Sequence, residues 1–213
     1  MDLNKFTEKS QAALAEAQTL ATRHQHQAVD VEHLAVALLE QEGGLVPRLF
    51  ERLRISPDLL RAKLQEELGR LPRVSGGTGP GQGLYVTQRL NKALVHAQDE
   101  ARKLKDDYVS VEHLVLALFS EPDSSGIGRI FKALGVTRGD FLKALTEVRG
   151  NQRVTSPNPE ATYEALEKYG RDLTRLAQQN KLDPVIGRDN EIRRCVQVLS
   201  RRTKNNQIGR AHV

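Results

Sequence analysis

The chain has 213 residues, 38% of them hydrophobic and only 4% aromatic, with no tryptophan, a single cysteine and a net charge of +5. That is enough apolar material for one ordinary core and part of a second unit. No apolar run reaches the length of a membrane span, no secretory leader pattern opens the chain, and Cys195 alone can form no internal disulfide; the expectation is a reducing, cytoplasmic location with no membrane contact.

The first helix is read over Lys5–Arg23, where Phe6, Leu14, Ala17 and Ala21 recur near helical spacing. A second begins after Asp30, a good N-cap residue, with Glu32 in the first turn where the helix dipole favours a carboxylate. Its stretch "LAVALL" is apolar on nearly every side, which predicts a central, buried helix. A short third helix is read over Val46–Leu53. A fourth starts at Ser56-Pro57, with proline where its missing N–H costs nothing, and ends near Leu68. Gly69–Gly83, "GRLPRVSGGTGPGQG", is a connector by composition.

The same programme then runs again. Thr7–Leu39 lies over Thr87–Phe119 without a gap, and 13 of the 33 positions are identical, including a contiguous Val-Glu-His-Leu at Val31–Leu34 and Val111–Leu114. With one residue inserted, Phe50 meets Phe131 and Leu53 meets Leu134. In the second copy Leu90, Leu94, Ala97, Ala101 and Leu104 draw the first-helix stripe, and Ser110 and Thr137 cap the second and fourth helices. The fold class is therefore all-α: two pseudo-symmetric four-helix repeats, about 1–70 and about 84–149, forming one domain over 1–149.

From Gly150 the register changes. "GNQRVTSPNPE" reads as a flexible, proline-containing linker over 150–160. Short helices are expected at Ala161–Lys168 and Arg171–Asn180. A further one follows Asp189, with Ile192, Val196 and Leu199 along one face. Residues 151–213 carry 12 basic and 7 acidic side chains, against 20 and 20 in residues 1–150. The basic stretch "RRCVQVLSRRTK" has no interleaved aromatic residue, so it reads as a solvated helix face rather than a nucleic-acid stripe.

Chemical sites are sparse. His33 and His113 each follow a glutamate, but HExxH is absent, and His24 and His26 would splay on a helix; packing and capping account for them better than a metal site. The glycine-rich connector has no lysine within it and no strand before it, so it is not a phosphate cradle. Cys195 lacks the setting of a thiol nucleophile. No residue of 1–149 reads as catalytic. What remains is surface: a duplicated helical domain makes a seam where its halves meet, and grooves between helices are natural peptide docks.

"LDPVIGRDNEIRRCVQVLSRRTKNN", Leu182–Asn206, resembles the opening of the first AAA+ ATPase module of Clp-type unfoldases, and the doubled unit with Val-Glu-His-Leu resembles the Clp N-terminal repeat. The opening "MDLNKFTEKSQAALAEAQTLA" and the "GRLPRV" connector are similar to the disaggregase branch of that family, with the protease-coupled unfoldases as the alternative. The resemblance implies a chaperone domain that captures apolar segments of unfolded or aggregated proteins and passes them to an ATP-driven ring. In the alternative it would mainly dock adaptor proteins. For the parent it implies ATP and Mg as cofactors, a homohexamer and cooperation with a DnaK-type chaperone system.

By the same resemblance, substrate contacts map to Thr7, Leu94, Asp106, Glu112 and Leu114. The adenine pocket of the complete module maps to Val185, Ile186 and Gly187. Residues 161–206 would be the start of that module, and 207–213, "QIGRAHV" in large part, a tail foreign to the family. The chain contains no GxxxxGK[ST], so no triphosphate cradle, and neither ATP hydrolysis nor a bound cofactor is expected of these 213 residues themselves.

Overall fold

Short polar side chains set where the helices start. The computed structural model describes residues 3–73, 84–150, 152–159, 173–179, 181–182 and 187–201. The first repeat contains α1 (Glu8–Arg23), α2 (Val31–Glu40), α3 (Leu45–Arg52) and α4 (Pro57–Arg70). The second contains α5 (Gln88–Lys103), α6 (Val111–Leu118), α7 (Gly126–Ala133) and α8 (Arg138–Arg149).

Thr7 and Thr87 cap α1 and α5 by accepting from the Ser10 and Leu90 amides at 3.3 and 3.1 Å, so α1 begins at Glu8 rather than Lys5. Ser56, Ser125 and Thr137 cap α4, α7 and α8 in the same way. Helices α2 and α6 open with capping boxes in which the third helical residue is His33 or His113, its ring accepting from the Asp30 or Ser110 amide.

Both of these helices are buried almost all round: Val31–Leu39 in α2 and all of α6. The other helices pack around this pair. The repeats join through an aromatic cluster. Phe50 of α3 lies 6.2 Å from Phe131 of α7 and 5.8 Å from Phe141 of α8, and Phe119 lies 4.4 Å from Phe131. Pairs at these separations add about 0.5–1.5 kcal/mol each beyond area burial.

A second joint lies in the extended residues that enter the helices. β1 (Ala28–Val29), before α2, pairs in parallel with β2 (Tyr85–Val86), before α5. The reciprocal contact links the entry to α1 with the entry to α6: Thr7 N donates to Val109 O at 3.0 Å and Val109 N to Lys5 O at 2.7 Å. Each repeat thus threads its first-helix entry against the other repeat's second-helix entry.

The segment read as a flexible linker differs from that expectation over its described part. Gly150, at φ 61°, reverses the chain after α8, and residues 152–159 run back along the domain with Val154 fully buried and Pro159 buried. The physical reason is hydrogen-bond satisfaction by the domain itself, which pairs both the amide and the carbonyl of Val154.

Residues 169–213 group apart from this domain. Their described elements are α9 (Leu173–Gln178) and α10 (Asp189–Leu199), where Ile192, Val196 and Leu199 are exposed. The helix expected over 161–168 lies outside the described residues, as do Val185, Ile186 and the 207–213 tail; Gly187 is described, at φ 74°. Among the described residues no helix is long and apolar enough to cross a membrane.

Candidate functional site

The seam between the repeats opens at α1 and α5 into a groove of about 730 Å³. Leu14 of α1, Leu90 and Leu94 of α5, and Val29 and Val86 of the paired strands form its apolar surface; Glu8, Gln11, Gln18 and Asn91 edge it. Leu14 and Leu94 are equivalent positions of the two repeats, so one stripe residue from each copy faces the same hollow. Leu90 and Leu94 are mostly covered by packing on the core, Leu14 is half-buried, and Ala15, Gln18 and Val86 are exposed. A concave, apolar surface with a polar edge suits extended or helical peptide segments.

Behind the groove each Val-Glu-His-Leu motif organises a polar cluster, and the two clusters differ. In both repeats the first helix ends in a turn with a left-handed residue, Gln25 or Lys105, followed by an amide that reaches back five residues: His26 N to Ala21 O and Asp106 N to Ala101 O, both 2.9 Å. This turn swings residue 26 or 106 beneath the motif histidine. In the first repeat His26 Nδ1 and His33 Nε2 are 2.8 Å apart. The Asp30 amide donates to His33 Nδ1 at 3.0 Å, so the His33 proton sits on Nε2 and points at His26. Burial and the neighbouring His26 push the His33 pKa down to about 4. Burial, His24 and Arg73 lower that of His26 too.

In the second repeat Asp106 stands where His26 does. His113 Nε2 donates to it at 3.0 Å, Arg149 donates from α8, and the Val154 amide donates at 2.8 Å. Burial alone would raise the Asp106 pKa, but these three donors outweigh it and hold it at about 2. Glu112 lies beside them, fully buried, its nearer oxygen 3.7 Å from Arg149. Its counterpart Glu32 is instead gripped by Arg89 of the other repeat at 2.9 Å, in a network with Asp30 and Glu121. Burial raises the Glu32 pKa, with Arg89 opposing.

The five positions assigned as substrate contacts therefore fall at two depths. Leu94 lines the groove. Thr7 is a buried cap whose hydroxyl also donates to Ser10 Oγ at 3.0 Å. Leu114 is in the core at 1% exposure, and the side chains of Asp106 and Glu112 are inaccessible. Sequence reasoning missed Leu14, Gln18 and Val86 as groove residues. The aligned pair Leu14–Leu94 was the available signal, since a position apolar in both copies sits at equivalent places across a two-fold seam.

Residues 5–134 match the Clp repeat (R) N-terminal domain family. The chain is 59% identical over 209 residues to the chaperone protein ClpB of Nitratidesulfovibrio vulgaris and 50% identical over 208 residues to that of Bacillus cereus. Each match covers 98% of this chain and 24% of the relative's length. In three dimensions the chain is similar to the Hsp104 N-terminal domain of Candida albicans, with a TM-score of 0.63 at 22% identity over 73% of this chain and 99% of that one.

Proposed function

We propose a client-capturing role from one premise: this chain belongs to the Clp repeat N-terminal domain family, and its identity to ClpB chaperones runs through nearly its whole length. In this reading the domain takes up exposed apolar stretches of unfolded or aggregated proteins in the α1–α5 groove and delivers them to an AAA+ ring. The observation that carries it is the groove, an apolar hollow drawn from both repeats and edged by polar side chains.

Burying one leucine-sized side chain is worth about 1.5–3 kcal/mol. Two or three such contacts, less the cost of ordering a flexible client, give dissociation constants from about millimolar to about micromolar. Weak, reversible capture suits a domain that must hand its client on, and several copies in a ring restore avidity. Leu94 touches the client from α5 and Leu14 from α1. Thr7, Asp106, Glu112 and Leu114 act from beneath by fixing α1, α5 and α6.

For the longer parent protein we infer ATP and Mg as cofactors, with Val185, Ile186 and Gly187 bordering the adenine once the ATPase module is complete, a homohexameric ring in the cytoplasm, and collaboration with a DnaK-type system. Identity to ClpB chaperones supports disaggregation over the adaptor-docking role of protease-coupled unfoldases.

The test is titration of the 213-residue chain with a permanently unfolded, fluorescently labelled polypeptide. Leu14→Asp, at a half-buried groove position, should weaken binding at least about tenfold with helicity retained. Ala15→Glu, at an exposed groove position, should do the same without touching the core. Unchanged binding in Ala15→Glu, or binding only to a folded adaptor, overturns the proposal.

A further inference from the structure

We propose that residues 152–158 are a docked strap rather than free tether, and that Asp106 is the positioning residue that holds this strap against the domain.

A flexible linker leaves its backbone to water. This one bonds its backbone to the domain at Gln152, Val154 and Pro157. Arg149 donates to Gln152 O, pinning the reversed chain against the α8 end. Val154 then pairs on both sides: its amide donates to Asp106 Oδ1 at 2.8 Å, and its carbonyl accepts from Asp107 N at 2.9 Å. The Arg153 guanidinium donates to Lys105 O and lies 3.5 Å from Asp107. Between these bonds the Val154 side chain is fully buried. Further along, Pro157 O accepts from Glu8 N at 2.8 Å, satisfying one of the orphan amides at the start of α1. Asn158 Nδ2 reaches the Glu8 carboxylate at 3.4 Å. The strap thus crosses from the loop before α6 to the α1 N-terminus, bridging the two repeats.

Asp106 is the centre of this joint. One of its oxygens takes both the Arg149 guanidinium and the Val154 amide, and the other takes His113. Removing its charge would unseat the strap's amide and the arginine that holds Gln152 together. Two consequences follow. Undocking would add at most roughly 25 Å of chain to the domain's reach, the extended length of residues 152–158. Glu8, held by the strap at both its amide and its carboxylate, also lines the groove, so the strap fixes one residue at the edge of that hollow. The inference does not depend on what the groove binds.

The experiment is backbone relaxation and amide exchange on the 213-residue chain. In the unaltered chain, residues 152–158 should show order parameters near those of α8, about 0.8 or higher, and the Val154, Asp107 and Glu8 amides should be protected. Val154→Asp and Asp106→Asn should lower the 152–158 order parameters below about 0.6 and speed exchange at those three amides at least about tenfold, with α2 amides unchanged. Val154→Ile should keep protection. Order parameters below about 0.6 for residues 152–158 in the unaltered chain overturn the proposal outright. Retained protection in Asp106→Asn overturns the assignment to Asp106. Should that variant unfold, the unaltered chain and Val154→Asp decide the matter.

Discussion

The two repeats place the same four residues, Val-Glu-His-Leu, on the same turn and give them different electrostatic surroundings. In the first, the motif histidine meets another histidine, and the motif glutamate is held by Arg89, a half-exposed arginine of the other copy. In the second, the histidine meets Asp106, and the glutamate lies near Arg149, which is 7% exposed. Duplication preserved the capping geometry, where the histidine ring accepts from the N-cap amide in both copies, and left the partner seven residues upstream free to diverge. In the second copy the histidine belongs to a buried ion cluster that also holds Val154; in the first the histidines pair with each other, and the buried Glu32 and Asp30 are held separately by Arg89.

The largest expected difference comes from removing each arginine. Arg149→Met removes the guanidinium from the buried Asp106 carboxylate and from beside the buried Glu112 side chain, and should cost about 3–5 kcal/mol. Arg89→Met should cost only about 1–2 kcal/mol, and less at high salt, because the Arg89 side chain is 39% exposed and water can replace it. Urea denaturation of both variants at low and high salt tests this. Equal costs would mean the two clusters do the same job.

Acid comes next. His33 stays neutral in the fold down to about pH 4, while its unfolded form takes a proton near 6.5. The unfolded state therefore binds more protons in that window, and stability falls as pH drops from about 6.5 to 4, by roughly 2–3 kcal/mol. His26 is shifted in the same direction and adds to the loss. The second copy behaves differently: Asp106, held at about 2, gives stability that is full above its usual 3.8 and is lost only as pH falls from there toward 2. His26→Asp, which copies the second repeat's arrangement into the first, should let His33 charge against a carboxylate and flatten the loss between pH 6.5 and 4. Denaturation midpoints at half-unit pH steps would reveal it; an unflattened slope would show that the histidine pair is not its source.

The smallest effect probes what the copies share. Thr7→Ala and Thr87→Ala each remove an N-cap bond and should each cost about 1 kcal/mol. Thermal melts that separate the two variants by more than that amount would show that the pseudo-symmetry of the caps is only geometric.

Much of the architecture could be read from residue order. Two copies of a period-3.6 pattern, with Asp30, Ser56, Ser110 and Thr137 at the breaks, located the eight helices to within a few residues, because caps and apolar stripes act locally. The all-apolar stretches of α2 and α6 announced burial for the same reason. The groove was anticipated as a seam, but its lining was only partly named. Leu94 was identified, whereas Leu114, the fourth residue of its Val-Glu-His-Leu motif and equally apolar, lines no part of the groove and lies wholly in the core; hydrophobicity alone does not say which side of a helix a neighbour will cover. Asp106 and Glu112 illustrate the opposite limit. Charged residues read as surface until the fold supplies His113, Arg149 and the Val154 amide from 7, 43 and 48 positions away.

Residue order sufficed for helix placement, the duplication and the family, since each rests on interactions within a turn or on repetition along the chain. Three features came only from folding: the reciprocal pairing of helix entries at Thr7–Val109 and Val29–Thr87, the different charged partners that the motif histidine and glutamate meet in the two copies, and the docking of residues 152–158. All three join backbone or charged groups separated by tens of residues. Such bonds form only where packing of the apolar faces has already brought their partners together, and no local pattern encodes that meeting.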